Sequence, residues 1–329
     1  MHRYHVYGLG AALVDTEIEV SDDFLKQANI EKGLMTLVDE ARQSELLNLM
    51  ESHLVGSKLS SGGSACNSII AASYFGAKTF YSCKVADDDN GRFFQDDTKA
   101  AGVATPNGEL PTGTTGKCLV MITPDAERTM NTFLGISKTL SQNELDADAI
   151  ANSEYVYLEG YLVTSPSGKA SAIKAREIAE QNNVKTALSL SDPGMVQFFK
   201  DGLREMIGQQ VDLIFCNKDE AFGWTETDNL EDAAEALKLS ARTFAITLGA
   251  EGALVFDGST LTQVPGSSAK AIDTNGAGDM FAGAFLYAIT SGQDFPTAAK
   301  LANRAAAQVV SQYGPRLKPE QHAKLKSSL

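Results

Sequence analysis

The sequence predicts an α/β protein with a mostly parallel sheet that is covered by helices on both faces. Short apolar runs alternate along the chain with longer segments of helical period, as expected for strands joined by crossover helices. The predicted strands lie at residues 6–14, 117–123, 155–162, 185–190, 211–216, 243–248 and 252–256. The predicted helices lie at residues 65–75, 91–101, 168–182, 195–207, 230–240, 278–290 and 296–311. Parallel strands that are buried on both faces would explain why the strand-like runs are continuously apolar.

Two segments interrupt this alternation. Residues 15–39 contain two short strand-like runs, and residues 112–135 read as two strands joined at Pro124-Asp125. We expect both segments to be antiparallel strands inserted into the α/β core. Because the sequence has neither an internal repeat nor a low-complexity linker, we expect one domain over residues 1–329.

Composition excludes several classes of protein. The chain has 329 residues, 43% of them hydrophobic, and a formal net charge of −14, which is unsuited to binding nucleic acid. The cysteines are far apart and form no CxxC pair, so a zinc ribbon or a disulfide framework is not indicated, and a reducing cytoplasm is expected. The N-terminus, Met1-His-Arg-Tyr-His, lacks the apolar core of a signal peptide, and no apolar run is long enough to span a membrane.

A partial dinucleotide-binding motif follows the first predicted strand. Gly8-Leu-Gly10-Ala-Ala-Leu13 has Leu13 at the place of the third glycine, and the run stays apolar instead of opening a helix. A tight strand end is the alternative to an oxidoreductase site. Asp15 then ends the apolar run, where a carboxylate would point into the crevice at the edge of the sheet and accept hydrogen bonds from a ligand's hydroxyl groups.

A small-residue turn, Ser60-Ser-Gly-Gly-Ser-Ala-Cys-Asn67, leads into the next helix. Gly62 and Gly63 would let the backbone approach a ligand, and Asn67 offers both donors and acceptors. A flexible loop followed by a capped helix explains the same residues without a ligand.

Two further turns follow predicted strands. Asn217 and Glu220 would lie on the same face of the first turn of a helix, and their side-chain oxygen atoms suit the binding of Mg²⁺ through water. The alternative is that the acidic side chain only complements the helix dipole. Thr247, Gly249 and Gly252 lie in a glycine-containing connection between two strands. That connection is either a plain hairpin or a loop along which a phosphate chain could lie.

The apolar helix at 278–290 starts with Gly276, Ala277 and Gly278. The N–H groups of these residues would form an anion site, which the helix dipole reinforces. The chain has no Walker-type phosphate loop. Asp279 beside this site could accept the proton of a hydroxyl that attacks a phosphoryl group. An aspartate that only complements the helix N-terminus is the alternative.

The segment Asp-Thr-Asn-Gly-Ala-Gly-Asp at 273–279 resembles the C-terminal signature of the ribokinase-like, or pfkB, family of carbohydrate and nucleoside kinases. The segments that resemble the family's N-terminal signature are residues 62–67, 76–78, 87–91 and 101–103. Residues 157–166 and 188–193 are most similar to the adenosine kinase branch. The resemblance, which is collinear from about residue 6 to residue 314, implies a ribokinase-like three-layer α/β/α core. The inserted segments 15–39 and 112–135 would form its small β-sheet lid.

The resemblance also implies a role for each candidate residue. Asp279 would be the catalytic base, and the amides of Gly276, Ala277 and Gly278 would stabilise charge on the transferring γ-phosphoryl group. Arg128 would reach the phosphates from the lid, although a solvated strand arginine is the alternative. The positions that would bind the acceptor are Asp15, Gly62, Gly63 and Asn67. The positions that would bind ATP are Asn217, Glu220, Thr247, Gly249, Gly252 and Asn303, with Glu220 also organising Mg²⁺ through water.

The implied activity is ATP-dependent transfer of a γ-phosphate to a primary hydroxyl of a nucleoside or sugar, most similar to that of adenosine kinases. The alternatives are a sugar kinase for ribose, fructose or a related sugar, and a catalytically silent nucleotide or sugar sensor. Tyr161 and Phe133 could stack on a nucleobase or simply pack in the core. A monovalent cation near Asp273 is a further expectation. We expect a cytoplasmic monomer or homodimer whose partner is a small-molecule nucleoside or sugar, with no nucleic acid or membrane partner.

Overall fold

The computed structural model describes residues 3–50 and 59–327. In chain order the strands of these residues are β1 (Tyr4–Leu9), β2 (Leu13–Glu19), β3 (Met35–Leu37), β4 (Leu59–Gly62), β5 (Thr79–Ser82), β6 (Thr115–Ile122), β7 (Arg128–Gly135), β8 (Ser153–Glu159), β9 (Lys185–Ser189), β10 (Val211–Asn217), β11 (Ala241–Thr247), β12 (Ala253–Phe256) and β13 (Leu261–Val264). The α-helices are α1 (Asp22–Gln27), α2 (Glu40–Leu49), α3 (Ser64–Phe75), α4 (Asp89–Ala100), α5 (Ala147–Ala151), α6 (Pro166–Gln181), α7 (Pro193–Ile207), α8 (Lys218–Thr225), α9 (Leu230–Leu237), α10 (Ala277–Thr290), α11 (Phe295–Val309) and α12 (Pro319–Lys326).

The larger sheet has eight strands in the order β13-β12-β11-β10-β9-β8-β1-β5. The strands from β11 to β5 in this order pair in parallel, and β12 and β13 pair antiparallel at one edge. Successive residues of β10 alternate between the two large cores, with Leu213 and Phe215 on one face and Ile214 and Cys216 on the other. The predicted α/β core with a mostly parallel sheet is therefore confirmed, and burial on both faces explains the apolar runs.

The second sheet has five strands in the order β3-β7-β6-β2-β4. The two segments at 15–39 and 112–135 both contribute strands to it, but the prediction of antiparallel strands is only half right. The β2–β6 and β3–β7 pairs are parallel, whereas β2–β4 and β6–β7 are antiparallel. A parallel pair needs a long connection, and here the connections carry other elements of the fold.

The predicted strand at 6–14 is in fact two strands in different sheets. The chain leaves the larger sheet after Leu9 and enters the small sheet at Leu13, so Asp15 belongs to the small sheet and not to the edge of the core. The turn predicted at 60–67 also contains a strand, β4, which adds an edge to the small sheet. A continuous apolar run hides such a change of sheet, because both halves are buried.

Several short elements have no clear sequence signal. Helix α1 has six residues, of which only Leu25 is buried, so no helical period can be read from it.

None of the helices in residues 3–50 and 59–327 is both long enough and apolar enough to cross a membrane. The expectation about a signal peptide involves Met1 and His2, which lie outside the described residues.

Close packing between α3 and α10 brings the first turns of these two helices together. Gly283 makes this approach possible, because a Cβ atom there would lie 2.3 Å from the carbonyl oxygen of Ser68 and 2.7 Å from Cβ of Ala71. Both helices begin with a glycine N-cap of positive φ, Gly63 before α3 and Gly276 before α10. The start of α10 is thereby fixed against the start of α3.

We expect Gly283→Ala to lower the free energy of unfolding by about 1–3 kcal/mol, since the helices must separate to admit the methyl group. Gly278→Ala is the matched control on the same helix, because nothing among the described residues lies within 4 Å of a Cβ atom there. Urea denaturation of both variants measures the difference. Equal stability of the two would show that α3 and α10 can separate without cost.

Candidate active site

A cavity of about 380 Å³ lies between the two sheets. One side is formed at the carboxyl ends of the parallel strands, by residues such as Glu159 on β8, Asn217 on β10 and Thr247 on β11. The other side is formed by the small sheet, including Leu13 and Asp15 on β2. This is the place where open α/β sheets bind ligands.

Most of the residues predicted from the sequence meet at this cavity, although they are far apart in the chain. Those that line it are Asp15, Gly63, Asn67, Arg128, Asn217, Glu220, Thr247, Gly249, Gly276, Ala277, Gly278 and Asp279.

Three predicted residues do not line the cavity, namely Gly62, Gly252 and Asn303. Gly62 faces the carboxylate of Asp15, where a Cβ atom would lie 2.1 Å from that side chain. Gly252 has a φ of +101° and packs against Val264 in the β11–β12 turn. Asn303 on α11 donates from Nδ2 to the carbonyls of Val264 (3.2 Å) and Pro265 (3.0 Å). Their predicted contacts with ligands stay predictions.

The Asp273 carboxylate is buried, and it accepts 2.8 Å hydrogen bonds from the backbone N–H groups of Asn275 and Gly314. It therefore anchors the loop before α10 to the segment after α11. Within the described residues there is no group of three or more His, Cys, Asp or Glu side chains that could hold a metal ion. A monovalent cation near Asp273 stays a prediction.

One face of β7 looks into the cavity. Arg128, Met130, Thr132 and Leu134 line it, as expected for alternate residues of a strand. The side chain of Phe133 therefore projects from the opposite face of the sheet, so it cannot stack on a base in this cavity. Tyr161, the other aromatic candidate, does line the cavity.

The Asp279 carboxylate is held by two side chains from the first turn of α3. Ser64 Oγ donates to Oδ1 at 2.6 Å, and Asn67 Nδ2 donates to Oδ2 at 3.1 Å. Burial raises the pKa of Asp279, and these hydrogen bonds, together with the charges of Arg128 and Arg316, partly offset the effect. The result is an oriented carboxylate whose proton affinity is higher than usual, as a general base requires.

The backbone around Asp279 is accessible from the cavity. The N-cap of α10, Gly276, has a φ of 74°, and no side chain of the described residues caps this helix. At Gly278 on α10 and at Gly249 across the cavity, a Cβ atom would find nothing of the described chain within 4 Å. A ligand with negative charge could therefore approach the N-terminus of α10 closely.

Asp15 is a buried carboxyl on the small-sheet side of the cavity. It is only 5% exposed, and its Oδ1 atom has no hydrogen-bond partner within the described residues. Burial raises the pKa of Asp15 to about 8, despite the opposing charge of Arg316, and the negative charge of Glu17 adds to the rise. An unsatisfied acceptor of this kind is stabilised when a ligand hydroxyl donates to it.

Glu159 is a further buried carboxyl that the sequence did not identify. Its two oxygens accept 2.7 Å hydrogen bonds from the backbone N–H groups of Ala11 and Ala65. Glu159 thus joins the turn between β1 and β2 to the first turn of α3. Burial raises the pKa of Glu159 to about 7, although these two hydrogen bonds act in the opposite direction.

Asn217 and Glu220 form a capping box at the start of α8. Asn217 donates from its backbone nitrogen (3.0 Å) and from Nδ2 (2.7 Å) to the Glu220 carboxylate, and Glu220 N donates to Asn217 Oδ1 at 2.8 Å. Burial raises the pKa of Glu220 to about 7. Since both carboxylate oxygens already accept hydrogen bonds, this pair fits contact with Mg²⁺ through water better than direct coordination.

Arg128 is half-buried on the cavity-facing side of β7, so the alternative of a fully solvated strand arginine is wrong. Burial opposes its charge, but Tyr161, Asp279 and Asp192 outweigh this effect, and the pKa of Arg128 is raised. Its guanidinium group is the cationic counterpart of the buried carboxyls.

Sequence reasoning missed Ser64 and Glu159, although each lies inside a segment that resembles the family. Nothing in their own spacing singles them out, because Ser64 contacts Asp279 across 215 positions of the chain and Glu159 contacts Ala11 across 148. Only the fold brings them to the cavity.

The raised pKa values predict how stability depends on pH. Between about pH 4 and pH 8 the folded protein should bind more protons than the unfolded chain, because Asp15, Glu159 and Glu220 titrate above their ordinary values. The free energy of unfolding should therefore contain a contribution that falls as pH rises through this window. In Asp15→Asn, which loses the carboxyl with the highest of these pKa values, the fall should be less steep.

Urea denaturation of the wild type and Asp15→Asn at several pH values measures this difference. Glu19→Gln is the control, since Glu19 is an exposed residue on the same strand. Parallel pH curves for the wild type and Asp15→Asn would show that Asp15 is ionised in the folded protein throughout this range.

Comparisons with known proteins agree with this architecture. The chain shares 33% sequence identity with adenosine kinase from Sinorhizobium meliloti. The crystal structure of that protein matches this fold with a TM-score of 0.93, and the match covers 99% of this chain and 100% of that one. It is 32% identical to a structure described as a probable sugar kinase protein from Rhizobium etli, with a TM-score of 0.93 over the full length of both chains. Adenosine kinase from Saccharomyces cerevisiae is 29% identical over an alignment of 332 positions, gaps included, which covers 93% of this chain and 95% of that protein.

The fold is therefore ribokinase-like, and the cavity lies between its core and its small sheet. Residues 41–322, which include the described parts of this cavity from Gly63 to Asp279, match the model of the pfkB family of carbohydrate kinases. The chain belongs to the pfkB family and is a kinase similar to adenosine kinases.

Proposed function

We propose that this kinase transfers the γ-phosphate of ATP to a primary hydroxyl group of a nucleoside. The observation that carries the proposal is the position of Asp279, a partly buried carboxylate beside the open N-terminus of α10, in the same cavity as the unsatisfied acceptor Asp15. Such a pair suits a reaction in which one group takes a hydroxyl proton and another holds the remaining hydroxyls.

The proposed reaction is an in-line displacement. Asp279 accepts the proton of the acceptor hydroxyl, whose oxygen forms a bond to the γ-phosphorus while the bond from this phosphorus to the β–γ bridging oxygen breaks. ADP leaves with that electron pair. The N–H groups of Gly276, Ala277 and Gly278 stabilise the charge on the phosphoryl group as it passes, and Arg128 adds a positive charge from the small sheet.

The ATP phosphates would lie along the backbone at Gly249 and Gly278, where the structure leaves room for them. Asn217 and Glu220 would hold Mg²⁺ through water. When bound, Mg²⁺ would neutralise charge on the phosphate oxygens. Asn217 orients Glu220 through its two hydrogen bonds and so fixes where the carboxylate points.

A nucleoside suits the cavity better than a simple sugar. The small sheet presents several apolar side chains to it, namely Leu13, Met35, Leu37, Met130 and Leu134. Asp15 lies on the same wall and could hold ribose hydroxyls, while a planar base would cover the apolar surface. A hexose or pentose, which carries a hydroxyl group on most of its carbon atoms and has no planar base, would leave much of this surface in contact with water.

A sugar acceptor is the second candidate, and an ATP-consumption screen separates the two. Adenosine, inosine, ribose and fructose are tested with and without Mg²⁺. We expect the largest kcat/KM for a nucleoside and no turnover without Mg²⁺. Higher kcat/KM for a free sugar would favour the second candidate, and tight binding of ATP without phosphorylation of any acceptor would favour a silent sensor.

We predict that Asp279→Asn lowers kcat on the order of 10²-fold or more and leaves KM for both substrates nearly unchanged. Asparagine keeps the shape and can still accept a hydrogen bond from Ser64, but it cannot take the hydroxyl proton. Asp219→Asn is the matched control, since Asp219 also lies in the first turn of a helix but is exposed. Steady-state kinetics of both variants give the answer. Retention of most turnover by Asp279→Asn would remove this residue from the mechanism.

The small sheet is proposed to act as a lid, with Arg128 reaching the phosphates when it closes. Its hairpin already contacts the loop before α10, since Thr274 Oγ1 donates to the carbonyl oxygen of Ala126 at 3.2 Å. Closure would exclude water and strengthen the interactions of charged groups around Asp279.

The predicted location in the cytoplasm and the choice between monomer and homodimer stay predictions.

We predict that Arg128→Ala lowers kcat/KM, because the variant loses the positive charge that would stabilise the transferring phosphoryl group. Adding a nucleoside and a non-hydrolysable ATP analogue should protect residues 15–39 and 112–135 of the wild type from hydrogen exchange, and much of this gain should be lost in the variant. Arg92→Ala is the control, because Arg92 makes its ion pairs with Asp87 and Asp89 on the surface. Equal protection with and without ligands would mean that the small sheet is a fixed part of the fold.

A further inference from the structure

Arg316 lies close to the cavity but does not line it, and its sequence context gives no sign of a role. It follows α11 and is 14% exposed. Its guanidinium group makes three hydrogen bonds to different segments. Nε donates to Asn67 Oδ1 at 3.1 Å, one terminal nitrogen to Asp97 Oδ2 at 2.7 Å, and the other to Ser61 Oγ at 2.9 Å.

Asp97 and Ser61 hold the guanidinium group in place. Ser61 donates to the same Asp97 oxygen from its hydroxyl and, at 3.2 Å, from its backbone nitrogen. The Arg316 charge, together with these hydrogen bonds, lowers the pKa of Asp97 although burial opposes this. The network joins β4, α4 and the segment after α11, so Arg316 has little freedom to move.

The consequence for Asn67 follows from the chemistry of its amide. Arginine is only a donor, and an ionised carboxylate is only an acceptor. Arg316 Nε faces Oδ1 of Asn67, and Asp279 Oδ2 faces Nδ2 at 3.1 Å. A reversed amide would set donor against donor on one side and acceptor against acceptor on the other, so Arg316 selects the orientation in which Asn67 donates to Asp279.

We propose that Arg316 is a positioning residue that fixes the Asn67 amide and thereby aims the Asp279 carboxylate at the acceptor hydroxyl. Arg316 acts through Asn67 and makes no contact with the substrate. The effect on rate rests on the proposed function of Asp279 as the base, whereas the effect on the Asp279 carboxyl group itself does not.

Arg316 also contributes positive charge beside a cavity that is rich in carboxyl groups. The charged and titratable groups that interact with Asp279 are Asp15, Tyr81, Arg128, Tyr157, Glu159, Tyr161 and Arg316. The two arginines are the cations of this set. Loss of the Arg316 charge should therefore raise the pKa of Asp279 and move the acidic limb of the kcat profile to higher pH.

Double-mutant kinetics test the proposal. We expect Arg316→Gln to lower kcat roughly 10- to 100-fold, since a misplaced catalytic group can cost this much, with little change in KM for ATP. In the Asn67→Ala background the same change should cost much less, because the residue through which Arg316 acts is gone. Equal losses in the two backgrounds would overturn the proposal.

Arg316→Lys separates geometry from charge. Lysine keeps the positive charge but has no fork that can reach Asn67, Asp97 and Ser61 together. We expect it to lower kcat nearly as much as Arg316→Gln and to shift the acidic limb less. Wild-type kcat in Arg316→Lys would overturn the role of the fork. Arg176→Gln is the matched control, because Arg176 is 12% exposed and is paired with Glu180 on α6, outside the cavity.

A measurement that does not depend on turnover separates this proposal from the proposed function. The carboxyl group of Asp279, labelled with ¹³C and assigned from Asp279→Asn, is titrated by NMR in the wild type, Arg316→Gln and Arg176→Gln. The pKa should rise only in Arg316→Gln, and an unchanged titration would overturn the proposal. If the wild type phosphorylates none of the acceptors, the proposed function fails, but the titration still decides whether Arg316 controls Asp279.

Thermal unfolding shows which variants are folded. If Arg316→Gln does not fold, the double variant Asp97→Asn/Arg316→Gln replaces it, because that variant keeps a neutral pair at these two positions.

Discussion

The hydrogen bonds between Asp279 and the first turn of α3 are the interaction on which the cavity depends. They require α3 and α10 to approach closely, which Gly283 permits, and both helices to begin at the same end of the sheet. The open N-terminus of α10 and the side chains that orient its carboxylate are therefore produced by a single helix contact. Glu159 and Arg316 then connect α3 to the larger sheet and to the segment after α11.

The cavity concentrates carboxyl groups at a cost to the free protein. Burial raises the pKa of Asp15, Glu159, Glu220 and Asp279, which means that their ionised forms are destabilised there. The structure offsets this with hydrogen bonds for Glu159, Glu220 and Asp279, whereas Asp15 keeps an oxygen without a partner in the described residues. The least satisfied group is thus the one proposed to hold the acceptor, where a ligand hydroxyl would supply the missing hydrogen bond.

The small sheet forms the second wall of the cavity, and the strands of this sheet present both polar and apolar side chains to it. Side chains on the cavity face of β7 run from charged Arg128 through Met130 and Thr132 to apolar Leu134. Cross-strand pairing places Asp15 beside Cys118 and Cys118 beside Thr132 on this sheet. The polar and apolar requirements of a nucleoside can therefore be met by a single surface of the small sheet.

The sequence by itself determined the α/β class, the mostly parallel sheet, the inserted small sheet and the residues of the glycine-containing turn at 273–279. These features depend on local period and on turn chemistry, which are readable within a few residues. It did not determine that the run at 6–14 changes sheets, that the small sheet mixes parallel and antiparallel pairs, or that Phe133 faces away from the cavity, because register and direction of pairing depend on contacts between distant strands. Only the tertiary structure brought Ser64 to Asp279, Glu159 to Ala65 and Arg316 to Asn67. Hydrogen bonds across 94 to 249 positions of the chain leave no periodic signal in the sequence, since each partner is chosen by the packing of whole elements and not by its neighbours.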